Sequence, residues 1–172
     1  MKIGIIGTTP QAETMARLFS QNDNSVTISD PTSPERADRL AAEVSGTTQT
    51  PYDQAALSDV LALAVPWSDL PKALAKLGPA PDAVVIDAMV PQGRVRDSGA
   101  EQLAHMMDNP HVVEVRVDNL QAGATVSLCG DDPQAKEKVM DLLRTSGLQP
   151  TDIGALARAS ELERGVELRP AV

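Results

Sequence analysis

The chain has 172 residues, 42% of them hydrophobic, and its 24 acidic residues outnumber 15 basic ones, for a net charge of −9. Such a surplus of acid excludes nucleic acid and an anionic membrane surface as main partners, because both demand a basic face. A lone cysteine excludes an intrachain disulfide, and two histidines without clustered spacing give a zinc site no support.

The expected protein is therefore cytoplasmic and has no membrane span. Its length suits one domain that buries roughly 70% of the surface the unfolded chain would expose. Phe19, Tyr52 and Trp67 are the only aromatics, so Ala, Val, Leu and Ile must fill the interior. Small side chains of this kind suit helices packed closely on a sheet.

Lys2–Ile6 reads as a short buried strand, and Gly7 ends it. Ala12, Met15, Ala16 and Phe19 then share one helical face. Strand, glycine and helix in this order form the opening of a dinucleotide-binding unit. The expected G-x-G-x-x-G/A reads here Gly7-Thr8-Thr9-Pro10-Gln11-Ala12. The turn glycine is kept and Ala12 serves helix packing. Thr9 puts a branched side chain where phosphate usually lies, and Pro10 brings no N–H. Glu13 suits the helix dipole but competes with a bound anion. The hydroxyls of Thr8 and Thr9 are possible donors to phosphate. The loop is either a cofactor turn or a plain strand-to-helix turn.

A second strand, Ser25–Ser29, leads to Asp30, 18 residues after Ala12. An acid at this place contacts the adenosine ribose and favours NAD over NADP, with Arg36 the nearest cation for a 2′-phosphate. The competing reading makes Asp30-Pro31 a turn before the helix of Ala37, Leu40, Ala41 and Val44. A weak strand follows near Thr47–Thr50.

Leu61–Val65 is the fourth strand, and Ala64-Val65-Pro66-Trp67 stands at its carboxyl end, where ligands of open α/β sheets bind. Trp67 either edges that crevice or packs at the start of the helix carrying Leu70, Ala73, Leu74 and Leu77. After the seam Lys76–Asp82, the fifth strand Ala83–Asp87 delivers Ala88 and Met89 to the same crevice. Met89 is a candidate for a nicotinamide pocket and also an ordinary core residue.

Met89–Gly99 reads as a longer loop before another helix. Val112–Val117, Thr125–Cys129 and Gln149–Ile153 complete the strands. Asp132-Pro133 starts a helix bearing Ala135, Val139, Leu142 and Leu143, which Gly147 stops. Cys129 fits a buried, inert thiol. His105 and His111 have no partner at catalytic spacing. The alternation predicts an α/β, Rossmann-like, doubly wound and mostly parallel sheet over residues 1–154, with a C-terminal helix and tail over 155–172. Apolar stretches such as Ala155–Leu162 are compatible with a homodimer.

Lys2-Ile3-Gly4-Ile5-Ile6-Gly7, Leu61–Trp67, Cys129-Gly130-Asp131-Asp132 and Gly147–Gly154 together resemble the deazaflavin-coenzyme-dependent NADP reductases. These are similar in turn to the N-terminal domains of pyrroline-carboxylate reductases. The resemblance implies a bound nicotinamide dinucleotide, NAD or NADP, and direct hydride transfer to a deazaflavin. It implies nucleotide contacts at Gly7, Thr8, Thr9, Gln11, Val65, Pro66 and Trp67. Such a transfer depends on aligning two rings more than on acid–base groups, so no catalytic side chain is assigned. The chain departs from the family in its single loop glycine, in Asp30, and in lacking an aromatic-Asn pair around Val115-Arg116-Val117-Asp118. The alternative is a non-catalytic binding or dimerisation module with a degenerate nucleotide site.

Overall fold

The structure is a computed structural model describing residues 1–78, 82–91, 98–117 and 121–164. Short runs rich in apolar residues become strands β1 (Lys2–Ile6), β2 (Ser25–Ser29), β4 (Val60–Leu63), β5 (Val84–Asp87), β6 (Val112–Val115) and β7 (Thr125–Gly130), and two polar segments at the sheet edges become β3 (Thr47–Gln49) and β8 (Gln149–Asp152). They form one sheet in the order β3-β2-β1-β4-β5-β6-β7-β8. The first six strands are parallel. β7 runs antiparallel to β6, and β8 follows β7.

Amphipathic segments fall on the two faces of this sheet. Alternation along each strand sends successive side chains to opposite layers. Ile3 and Ile5 join α1 (Pro10–Phe19), α2 (Pro34–Glu43) and α6 (Pro133–Thr145) in one core. Ile6, Leu61 and Leu63 join α3 (Tyr52–Ala55), α4 (Leu70–Leu77), α5 (Gly99–Met107) and α7 (Ala159–Glu163) in the other. The short α3 settles directly on β1. A Cβ at Gly4 would stand 2.6 Å from the Ala55 carbonyl oxygen, so only glycine admits this approach.

Capping follows the sequence closely. Asp132 accepts the Gln134 N–H at 2.9 Å at the start of α6, ahead of Pro133. Ser98 and Glu101 form a reciprocal capping box on α5. The Gly-Asp-Asp segment is structural in these contacts. Asp131 accepts the Leu156 N–H at 2.9 Å, and Asp132 pairs with His111 at the amino end of β6. Lys136 ties Asp152 at 2.8 Å across the same corner. Cys129 is fully buried, and burial, then the negative charge of Glu114, pushes its thiol far up.

No helix among the described residues is long and apolar enough to cross a membrane, and no group of three or more metal-ligating side chains occurs among them. Residues 79–81 of the Lys76–Asp82 seam, 92–97 of the Met89–Gly99 loop, Asp118 and 165–172 of the tail lie outside the described residues.

Candidate functional site

Parallel order in the first six strands places the loops after β2, β1, β4 and β5 side by side along one rim. The order reverses between β1 and β4, so the crevice for a ligand opens there. Onto this rim the structure brings Gly7, Thr8, Thr9, Pro10 and Gln11 from β1, Asp30 from β2, Ala64, Val65, Pro66 and Trp67 from β4, and Ala88 and Met89 from β5.

Gly7 adopts φ +114°, and a Cβ there would stand 2.1 Å from the Ala64 carbonyl oxygen. Its N–H donates to the Ser29 carbonyl at 2.8 Å. The turn is therefore pressed between the ends of β2 and β4, which only glycine allows. Thr9 is the N-cap of α1. Its hydroxyl donates to the Ala64 carbonyl at 2.8 Å and accepts the Ala12 N–H at 3.4 Å. The residue in the middle-glycine position thus turns its polar group into the loop and binds the start of α1 to β4. Pro10 occupies the first helical position. Among the described residues, the N–H groups of Thr8 and Thr9 have no acceptor. Glu13 is drawn to Arg17 at 2.8 Å along α1.

Asp30 is 7% exposed. One carboxylate oxygen accepts the Thr8 hydroxyl at 2.7 Å. The other accepts the Thr32 N–H and hydroxyl, both at 2.8 Å, and the Ser33 N–H at 3.0 Å. Burial works against its ionisation, but the hydrogen bonds from Thr8, Thr32 and Ser33 outweigh it and hold the carboxyl below the ordinary aspartate range. Lys76 reaches across from α4 to the Pro31 carbonyl at 2.7 Å. Beside Thr8 lies a cleft of about 220 Å³ lined by Glu13, Arg36, Arg39, Leu40 and Glu43. Neither Arg36 nor Arg39 forms a salt bridge among the described residues.

On the β4–β5 side the rim is apolar. Ala64, Val65, Ala88 and Met89 are buried, Trp67 is half-buried, and Pro66 and Val90 are exposed. The Met89 N–H donates to the Asp87 carboxylate at 2.9 Å. Asp87 is almost wholly buried. Burial pushes its carboxyl up to about 7, the Met89 N–H opposes that, and the negative charge of Glu163 adds to it. Register sets Glu114 of β6 beside Asp87 on the same face, also buried. Glu163 arrives from α7, and its carboxylate accepts the Gly99 N–H at 2.6 Å at the start of α5. From the sequence Asp87 is placed at the end of the fifth strand, flanking the crevice, and Glu114 and Glu163 are not singled out. The signal available there was an Asp and a Glu inside the otherwise apolar runs Val84–Asp87 and Val112–Val115.

Sheet order, the one-glycine turn after β1 and the crevice at its switch point define a Rossmann-type protein of the dinucleotide-binding class. A sequence model of the family described as NADP oxidoreductase, coenzyme F420-dependent, matches residues 2–91, and the chain belongs to that family. The match spans β1 to the end of β5, so it covers every rim loop named above.

Among solved structures, a hypothetical protein from Sinorhizobium meliloti aligns over 100% of this chain and 93% of its own, with TM-score 0.83 and 18% identity. A candidate F420-dependent NADP-reductase from Arthrobacter sp. FB24 aligns over 95% of this chain and 89% of its own, with TM-score 0.79 and 19% identity. An imine reductase from Myxococcus stipitatus, solved with NAD+, gives TM-score 0.72 and 15% identity over 95% of this chain and 58% of its own. At such identities the likeness establishes the fold.

Proposed function

We propose that this chain is an NAD(P)-dependent oxidoreductase that passes a hydride between a nicotinamide dinucleotide, NADP(H) by preference, and a deazaflavin or another planar small-molecule acceptor. Membership of the F420-dependent family supports the class of reaction and the acceptor. The observation that carries the reading is the loop after β1. Gly7 is locked onto β4, Thr9 caps α1 from within, and the N–H groups of Thr8 and Thr9 are left for an anion at the switch point.

A bound dinucleotide would supply the hydride from its nicotinamide ring. The chain's own residues would do the rest by binding and orientation. Thr8, Thr9 and Gln11 would hold the pyrophosphate at the start of α1. Arg36 and Arg39 would pair a 2′-phosphate in the cleft they line with Thr8, Glu13 and Glu43, and this is the basis for preferring NADP(H). Val65, Pro66 and Trp67 would edge the crevice. Ala88 and Met89 would present an apolar wall that keeps water from the path of the hydride.

Trp67 is the only tryptophan and lies on the rim, so its fluorescence reports occupancy directly. Titration with NADPH should quench it and raise the melting temperature. At a hundredfold excess over Kd the stabilisation is about 2.7 kcal/mol. Arg36→Ala and Arg39→Ala should each weaken NADPH several-fold and leave NADH nearly unchanged. No quenching and no thermal shift with either dinucleotide at millimolar concentration would refute the proposal.

A further inference from the structure

We infer that Asp30 is a positioning residue of the dinucleotide site, acting through Thr8 and the Thr32–Ser33 turn, and that its carboxylate does not select NAD(H) over NADP(H). The inference rests on the dinucleotide reading above and deepens it. An acid after the second strand of such a sheet ordinarily accepts the ribose hydroxyls and repels a 2′-phosphate. Asp30 stands at that place, but both of its carboxylate oxygens are already bonded within the chain, and the site left is on the oxygen that Thr8 holds.

A carboxylate offers about four lone-pair sites. Three donors of the chain itself crowd one oxygen, the Thr32 N–H, the Thr32 hydroxyl and the Ser33 N–H, and the Thr8 hydroxyl takes one of the two sites on the other. A ribose diol donating through both hydroxyls would therefore have to displace one of these donors, exchanging one hydrogen bond for another with little net gain. The residue is also nearly buried, which limits its reach toward a ligand in the crevice.

What the four bonds accomplish is mechanical. They join the loop after β1 to the strap after β2, and Lys76 holds that strap from its other side through the Pro31 carbonyl. Thr8 belongs both to this junction and to the wall of the cleft that holds Arg36 and Arg39. Loss of Asp30 would release the loop whose N–H groups receive the pyrophosphate, whatever the ribose carries. Any discrimination between the two dinucleotides is left to the arginines.

The test is a set of dissociation constants for NADH and NADPH, read from Trp67 fluorescence, on five variants with melting temperatures measured alongside. Asp30→Ala and Thr8→Val should each weaken both dinucleotides by about the same factor, roughly 3- to 10-fold. The double variant should be no weaker than either single one, because both remove the same junction. Thr8→Ser, which keeps the hydroxyl, should restore wild-type binding. Asp30→Asn, whose amide can still bridge Thr8 and the turn, should keep the NADH-to-NADPH ratio of wild type. The inference is overturned if Asp30→Ala weakens NADH while tightening NADPH, or if the Thr8 and Asp30 effects add. A wild-type protein that binds neither dinucleotide would overturn the dinucleotide reading itself, an outcome distinct from a shifted ratio.

Discussion

Asp87 shows how one buried acid sets a pH dependence for the whole molecule. Its folded-state pKa of about 7 lies above the ordinary value of 3.8, so the native state holds a proton that the unfolded chain has lost. Between those values stability must fall as pH rises, and above the upper one the full cost remains. For one proton the slope is at most about 1.4 kcal/mol per pH unit. Asp87→Asn keeps an acceptor for the Met89 N–H and removes the titration. Its melting temperature should match wild type near pH 4 and exceed it at pH 8, a comparison that calorimetry across pH settles.

The same scale shows where sequence reasoning stopped. Gly7 and its turn were legible, because only glycine fits a strand ending so close to its neighbour. The inward hydroxyl of Thr9 was not, since its acceptor is Ala64, 55 positions away. Asp87 and Glu114 become neighbours only through the β5–β6 register, which pairing across the sheet decides.

At the scale of elements, α5 and α7 depend on each other through one carboxylate. Glu163 supplies an acceptor for the Gly99 N–H and a longer contact at 3.4 Å with that of Ala100, groups a helix start leaves without partners of its own. Burial raises the Glu163 carboxyl above the ordinary range, while these N–H groups pull it back. Glu163→Ala should cost about 1–2 kcal/mol, and hydrogen exchange should quicken at Gly99 and Ala100 before it quickens in the strands.

Elements with a clear period were legible in the chain, and the first two strands match residue for residue. The four-residue α3 is too short for a helical period to be seen. The reversal of β7 left no local trace, because an apolar strand reads alike in either direction. Its direction follows from the Val113–Gly130 to Val115–Leu128 pairing.

The molecule as a whole is one sheet carrying two apolar layers. β1, β4, β5, β6 and β7 contribute to both, so neither layer can melt while the other keeps these strands. Unfolding should therefore be a single cooperative transition. Fluorescence of Trp67, which packs against the α4 layer, and far-ultraviolet circular dichroism should give the same midpoint in denaturant. A midpoint for Trp67 well below that of the backbone signal would show that the α4 layer loosens first.

The path of α7 has a practical side. Met1 stands at the amino end of β1, a strand of five residues, roughly 16 Å from the rim of the crevice. The last turn of α7 instead finishes against the start of α5, close to Asp87 and the β5 loop. Glu163 thus ends α7 beside the candidate site, whereas Met1 lies at the far end of β1 from that rim. Surface attachment through Met1 accordingly leaves that rim facing away from its support when ligand access is to be measured.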